Sequence, residues 1–185
     1  MSGTLALALA DARAGGKAQG LARLIAAGIR VPEGFCTFSE CSDQELLQAW
    51  RQLKALRVAV RSSSLLEDSL NQSFAGQFET VLGVQEEKQL VQAVRRIQGS
   101  LTGSVIVQSM VDAQVAGVVF TRDPVSLNSC LRIEAAPGLG EAVVSGKARP
   151  SAWRLTLEGQ ITHLDGPQCL AEEQLLELLE TTRRV

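Results

Sequence analysis

The sequence is poor in histidine: His163 is its only one. A histidine-rich metal site is therefore excluded, since imidazole ligands come in groups. Four cysteines stand at positions 36, 41, 130 and 169, and only Cys36 and Cys41 are near neighbours. No pair of CxxC motifs exists to hold zinc, and the thiols read as reduced and structural. Basic charge is not in excess either: Lys and Arg total 18 against 20 Asp and Glu, a formal net charge of −2. A dedicated nucleic-acid binder carries a basic surplus, so that class drops out, while a local basic pocket for one nucleotide stays open. No apolar run approaches the roughly 18 residues of a membrane helix. The opening MSGTLALALADARAGG is apolar but has no basic n-region. It reads as a first helix or strand, not a signal peptide, and the expected location is the cytoplasm. The phosphate-loop pattern, GxxxxGK followed by Ser or Thr, occurs nowhere. Internal repeats and low-complexity tracts are also missing.

What is present can build a core. Hydrophobic residues make up 45% and charged residues 21% of the 185 residues, enough for one domain or two small lobes. After Gly15-Gly16-Lys17, the residues Leu21, Leu24 and Ile25 follow at helical spacing, and Gly28 closes that helix. Pro32 and Gly34 make a turn. Ser42 and Glu45 stand at capping-box spacing before the stripe Leu46, Leu47, Trp50, Leu53 and Leu56. The alternating segment Arg57–Arg61 predicts a buried strand. Residues 62–80, rich in Ser, Asn, Gly and Asp, read as a long loop or loop-rich hairpin. A helix with Leu90, Val91, Val94 and Ile97 inward comes next, then strands at Val105–Gln108, Val115–Thr121 and Leu131–Ala135. Ala152–Leu157 and Ile161–Leu164 predict a hairpin about Glu158-Gly159, and Glu172–Arg183 a helix with Leu175, Leu176 and Leu179 as its stripe. This order predicts an α+β protein of two lobes, residues 1–104 and 105–185.

Five segments carry chemistry, each with a plainer alternative beside it. Gly15-Gly16-Lys17 before a helix suits a phosphate, through the helix N-terminus and an ammonium; a Gly-Gly turn with a solvated lysine is the alternative. Arg61, ending a strand beside Ser62–Ser64, can be held rigidly for bidentate pairing with phosphate oxygens; otherwise it pairs with Glu67 or Asp68. Ser73-Phe74-Ala75-Gly76-Gln77 can fold over a triphosphate and donate backbone N–H groups, or be a hairpin tip. After the strand Val105–Val107, backbone groups near Gln108, Met110 and Val111 can meet an adenine edge; the alternative is a core strand with Gln108 satisfied internally. Glu134 and Glu141 flank the turn Pro137–Gly140 and suit magnesium or ribose hydroxyls, or are surface carboxylates.

The order of the pieces says more than each piece does. GGKAQGLARLIAAGIRVPEGF, VAVRSSSLLEDSLNQSFAGQFETVLGV, VIVQSMVDAQVAGVVFTRDPVS and IEAAPGLGEAVVSGKARPSAW run in sequence over residues 15–153. Together they resemble the nucleotide-binding domain of the dikinase family: phosphoenolpyruvate synthase, pyruvate phosphate dikinase, rifampicin phosphotransferase and phenylphosphate synthase. The resemblance implies an ATP-grasp-like fold with mixed or antiparallel sheets and ATP between two lobes. It places Lys17 and Arg61 on the phosphates as the catalytic pair. It makes Ser73, Phe74, Ala75, Gly76 and Gln77 the phosphate-covering loop, Gln108, Met110 and Val111 the adenine hinge, and Glu134 a cleft-lining carboxylate. It further implies a phosphotransferase that uses ATP with magnesium. ATP's β-phosphate would pass to a histidine on a separate domain or partner chain, with AMP and phosphate released.

Departures from the family set further expectations. His163 lies in the hairpin EGQITHLDG, not in the family's phosphohistidine motif. The sequence reaches Arg183-Arg184-Val185 without the strand pair that in the family supplies the main magnesium ligands, so an incomplete metal site and no turnover alone are expected. The stretches Gly34–Val58 and Arg96–Val105 are short for the family and read as compaction. Two functions follow: the nucleotide-binding part of a split phosphotransferase, or a non-catalytic nucleotide-binding or protein-interaction module of the same descent.

Overall fold

A computed structural model describes residues 3–64, 80–99, 103–122, 130–140 and 149–184. The chain divides into two units, Met1–Val111 and Asp112–Val185.

In the first unit the chain runs through β1 (Thr4–Ala6), two short 3₁₀ turns, α1 (Gly16–Ala26), β2 (Gly34–Thr37), α2 (Asp43–Leu53), β3 (Val58–Ser64), β4 (Thr80–Val84), α3 (Glu87–Gln98) and β5 (Gly103–Ser109). The strands form one antiparallel sheet in the order β1-β2-β5-β3-β4. Side chains alternate between the faces of a strand, so β2 and β5 feed two cores at once. Val58, Val60, Val105 and Val107 pack with Leu46 of α2 and with Leu90, Val94 and Ile97 of α3. On the opposite face, Ile106 and Cys36 pack with Ala14 and with Ala18 of α1. Two-sided burial is why Val105–Val107 of β5 read as a continuous apolar run and not as an alternating one.

The expected capping box is present: the Ser42 hydroxyl accepts from the Glu45 amide at 3.2 Å, and the Ser42 amide donates to Glu45 Oε2 at 2.9 Å. The helix it opens ends earlier than its stripe predicts. Lys54 turns into the left-handed region at φ 52, and Leu56, expected inward, is 93% exposed. Ser62–Ser64, expected in a loop, continue β3 because each pairs with β5. The remainder of that predicted loop, 65–79, lies outside the described residues. The boundary expected at 104/105 falls inside β5. That strand pairs with β3 over its whole length, from Gly103 opposite Ser64 to Ser109 opposite Val58, and so belongs to the first unit.

The second unit is an antiparallel meander, β6 (Val115–Phe120), β7 (Leu131–Pro137), β8 (Ser151–Leu155) and β9 (Ile161–Asp165), followed by α4 (Glu172–Thr182). Leu131, Ile133, Ala135, Trp153 and Leu155 meet Leu175 and Leu179 of α4 in its core. Leu176, predicted on the same stripe, is 36% exposed and faces away. His163 sits in β9 with its ring 5.7 Å from that of Trp153, a partner across the hairpin. The architecture is α+β with two antiparallel sheets, consistent with an ATP-grasp-like domain. Among the described residues no helix is long and apolar enough to cross a membrane.

Candidate functional site

The site begins at a close approach of backbone to backbone. Gly15 follows the second 3₁₀ turn at φ 82 and ψ 168 and leads into α1. Residues with a Cβ avoid that conformation. Space forbids one as well: a Cβ on Gly15 would lie 2.4 Å from the Ser63 carbonyl oxygen and 2.7 Å from its hydroxyl. Gly103 meets the same carbonyl, with 2.3 Å to a built Cβ. The first turn of α1 therefore lies directly on β3. By sequence the Gly15-Gly16 pair suits an anion's approach to the backbone; in the structure Gly15 is required for packing against the protein's own strand.

Two buried hydroxyls fasten that turn. Ser63 Oγ accepts from the Ala18 amide at 3.1 Å, satisfying a helix N-terminal donor that has no partner within its own helix. Ser104 Oγ donates to the Ala14 carbonyl at 2.6 Å. Ser63 and Ser104 are opposite partners in the β3–β5 ladder. Lys17 lies between the two tied positions, Ala14 and Ala18, and its side chain is half-buried. Arg61 precedes Ser63 by one alternation of the strand, so it occupies the same sheet face, also half-buried. Lys17 and Arg61, far apart in sequence, are thus brought to one face of the first sheet. No carboxylate among the described residues pairs with Arg61. The alternative partners Glu67 and Asp68 lie outside the described residues, as do Ser73, Phe74, Ala75, Gly76 and Gln77.

Further along that face is Gln108, paired with Ala59 of β3 and Gly34 of β2. Its side chain is buried, and its Nε2 donates to the Pro32 carbonyl at 3.0 Å. Internal satisfaction, the plainer of the two readings, describes this amide. Neighbouring backbone groups are engaged too: the Ser109 amide donates to the Glu33 carbonyl at 2.8 Å, and the Met110 amide to the Arg57 carbonyl at 3.0 Å. Met110 is half-buried and Val111 is 56% exposed.

Glu134 belongs to the second unit. It stands on β7 on the face opposite the core residues Ile133 and Ala135, and Arg132 Nε donates to its Oε1 at 2.7 Å. Both side chains are about a quarter exposed, 23% for Arg132 and 26% for Glu134. The carboxylate is therefore charge-compensated by its own strand. Arg132 was not singled out in the sequence, although its spacing from Glu134 on a strand is the available signal. Ser63 and Ser104 were missed as individual positions because hydroxyls in a strand carry no periodic signature.

Thiol chemistry has no foothold at Cys36, where burial pushes the pKa up to about 11 despite a hydrogen bond with Ser104. Among the described residues no group of three or more His, Cys, Asp or Glu side chains is arranged to hold a metal ion.

Comparison with known proteins bears on the same elements. The family described as "Pyruvate phosphate dikinase, AMP/ATP-binding domain" matches residues 38–104 and 100–164. The two matched stretches overlap at residues 100–104. The chain is 27% identical to "Uncharacterized phosphotransferase YvkC" of Bacillus subtilis, over 92% of this chain and 30% of that one. It is 32% identical to "Prodigiosin synthesizing transferase PigC" of Serratia marcescens, over 77% of this chain and 22% of that one. It is 36% identical to the phosphoenolpyruvate synthase of Pyrococcus furiosus, over 60% of this chain and 17% of that one. The chain thus matches less than a third of the length of each of these relatives. The alignment with YvkC runs over 247 positions, more than the 185 residues here, so the relative carries segments absent from this chain.

Proposed function

The chain belongs to the pyruvate phosphate dikinase AMP/ATP-binding domain family, and from that premise we propose that its first unit grips the phosphates of ATP with Lys17 and Arg61. One observation carries the reading. The first turn of α1 is tied to Ser63 of β3, and Lys17 in that turn shares a sheet face with Arg61.

The chemistry of the two cations is complementary. Arg61 offers a planar fork that takes two phosphate oxygens at once, and its strand fixes the direction of the fork. Lys17 adds a compact point charge. The N-terminus of α1 adds the partial positive charge of its aligned peptide dipoles. These groups also suit the charge that spreads over a phosphoryl group in transit, where positioned cations contribute more than an acid–base pair. The loop 73–77 covers the phosphates in this reading. The adenine edge falls to the Met110 carbonyl and the Val111 backbone, with the Met110 side chain on the ring, because the Gln108 side chain is held by Pro32 and the Met110 amide by Arg57. Glu134 of the second unit, paired with Arg132, is the remaining nucleotide-binding candidate.

The complete reaction passes ATP's β-phosphate to a histidine on another domain or chain and releases AMP and phosphate. Magnesium accompanies the nucleotide and shields its charge; no described side chain is assigned to it. Relatives several times longer than the matched segment support an acceptor outside it. Calorimetric titration with ATP and magnesium tests the grip. Lys17→Ala and Arg61→Ala are each expected to weaken binding by about tenfold or more, the loss of one charge-assisted contact. Equal heats for both variants and the parent would remove the proposal.

A further inference from the structure

We propose that Ser63 and Ser104 are positioning residues: together they hold the Lys17 turn in the place where its ammonium and Arg61 can act on one phosphate group. This rests on the phosphate reading of Lys17 and Arg61 given above and extends it to two residues that touch no nucleotide.

Apolar packing of Ala14 and Ala18 against Ile106 and Cys36 seats the turn on the sheet but does not by itself set its register. Its backbone lies against Ser63 without an intervening side chain, since a Cβ at Gly15 would reach within 2.4 Å of the Ser63 carbonyl. A contact of that kind is close but smooth, and permits sliding. Directional bonds are what set register. Two are present, one on each side of Lys17: the Ala18 amide to Ser63 Oγ at 3.1 Å and Ser104 Oγ to the Ala14 carbonyl at 2.6 Å. Both hydroxyls are fully enclosed, Ser63 at 0% and Ser104 at 1% exposure, so water does not compete for either bond. They come from directly opposed positions of two inner strands of the sheet. Arg61 is on one of those same strands. The frame that fixes Arg61 therefore also fixes the lysine turn, and a lost hydroxyl loosens one relative to the other.

The division of labour is specific. Ser63 receives a helix N-terminal donor and so sets the axial position of α1. Ser104 holds the carbonyl just before Gly15 and so sets where the chain enters the turn. Neither hydroxyl is replaceable by the alanine that would fit its volume, because the donor and acceptor they serve stay buried.

Affinities for ATP and for AMP, measured on the full chain by calorimetry, test this. Misplaced cations affect the ligand with the longer phosphate chain more. Ser63→Ala and Ser104→Ala are each expected to lower the ATP-to-AMP affinity ratio by about fivefold to tenfold. Lys17→Ala is expected to lose less in the Ser63→Ala background than in the parent, because a misplaced lysine has less to lose. Amide exchange at residues 16–19 is expected to quicken in both serine variants, while exchange in α3 keeps the parent rate. If Ser63→Ala fails to fold, Ser104→Ala carries the same test at the other end of the turn. A parental ATP-to-AMP ratio in the serine variants, with Lys17→Ala still lowering it, overturns the positioning role and leaves the phosphate reading standing. A parental ratio in Lys17→Ala as well overturns both.

Discussion

Gly15 and Ser63 touch backbone to backbone: a Cβ on the glycine would stand 2.4 Å from the serine carbonyl oxygen. Gly15 also adopts φ 82 and ψ 168, a conformation held almost solely by glycine. Gly15→Ala is therefore expected to destabilise the fold by about 1–3 kcal/mol from the backbone alone, with the clash added to that. Gly20, inside α1 with nothing within 4 Å of a built Cβ, supplies the contrast. Gly20→Ala is expected to stabilise by about 0.5–1 kcal/mol, since alanine loses less entropy in a helix. Urea unfolding of the two variants is the measurement, and shifts of the same sign would contradict the packing described for Gly15.

The buried Gln108 side chain is anchored to Pro32, and removing its amide takes a donor from a half-buried carbonyl. Gln108→Leu, close in size, is expected to cost about 0.5–1.5 kcal/mol of stability. A parental denaturation midpoint would mean that the bond contributes nothing.

Arginines at helix surfaces differ in what they hold. Arg95 bonds Asp43 Oδ1 at 2.6 Å, the Cys41 carbonyl at 2.6 Å and Gln98 Oε1 at 2.7 Å, joining α3 to the start of α2. Among the described residues Arg51 meets only the exposed carboxylate of Glu87, at 2.6 Å, with its own side chain 63% exposed. Arg95→Ala is expected to cost about 1.5–3 kcal/mol, and Arg51→Ala about 0.2–1 kcal/mol. Thermal melts rank the two, and a larger loss for Arg51 would reverse the assignment.

The capping box of α2 makes stability depend on pH. The Ser42 amide, and after it the Ser42 hydroxyl, holds the Glu45 carboxyl below its usual range. A lowered folded-state pKa stabilises the protein above the unfolded value and loses that contribution as pH falls through the folded one. Glu45→Gln keeps an acceptor but no charge. Its melting temperature is expected to lie below the parent's near neutral pH, with the gap narrowing from about pH 5 downward. A constant gap down to about pH 2 would rule out the charged cap as its source.

Local signals in the sequence were legible where one neighbourhood decides the outcome. Ser42 and Glu45 specified a helix start because both halves of the box lie within one turn. The hairpin about Glu158-Gly159 and the α4 residues Leu175 and Leu179 were readable for the same reason. Leu56 misled because the stripe continued past the helix, and only the left-handed turn at Lys54 shows where the helix stops. Ser62–Ser64 misled because serine favours loops, while β5 supplies partners that outweigh the local preference.

The family, the α+β class and the candidate cations Lys17 and Arg61 could be taken from the sequence by itself, since residue types and their order carry that information. Tertiary structure alone decided which of those residues meet. Ser63 and Ala18 are separated by 45 positions, and no short-range pattern encodes their 3.1 Å bond. It exists because strand alternation turns Arg61 and Ser63 to one face of the sheet, while two glycines allow the neighbouring backbones to touch Ser63.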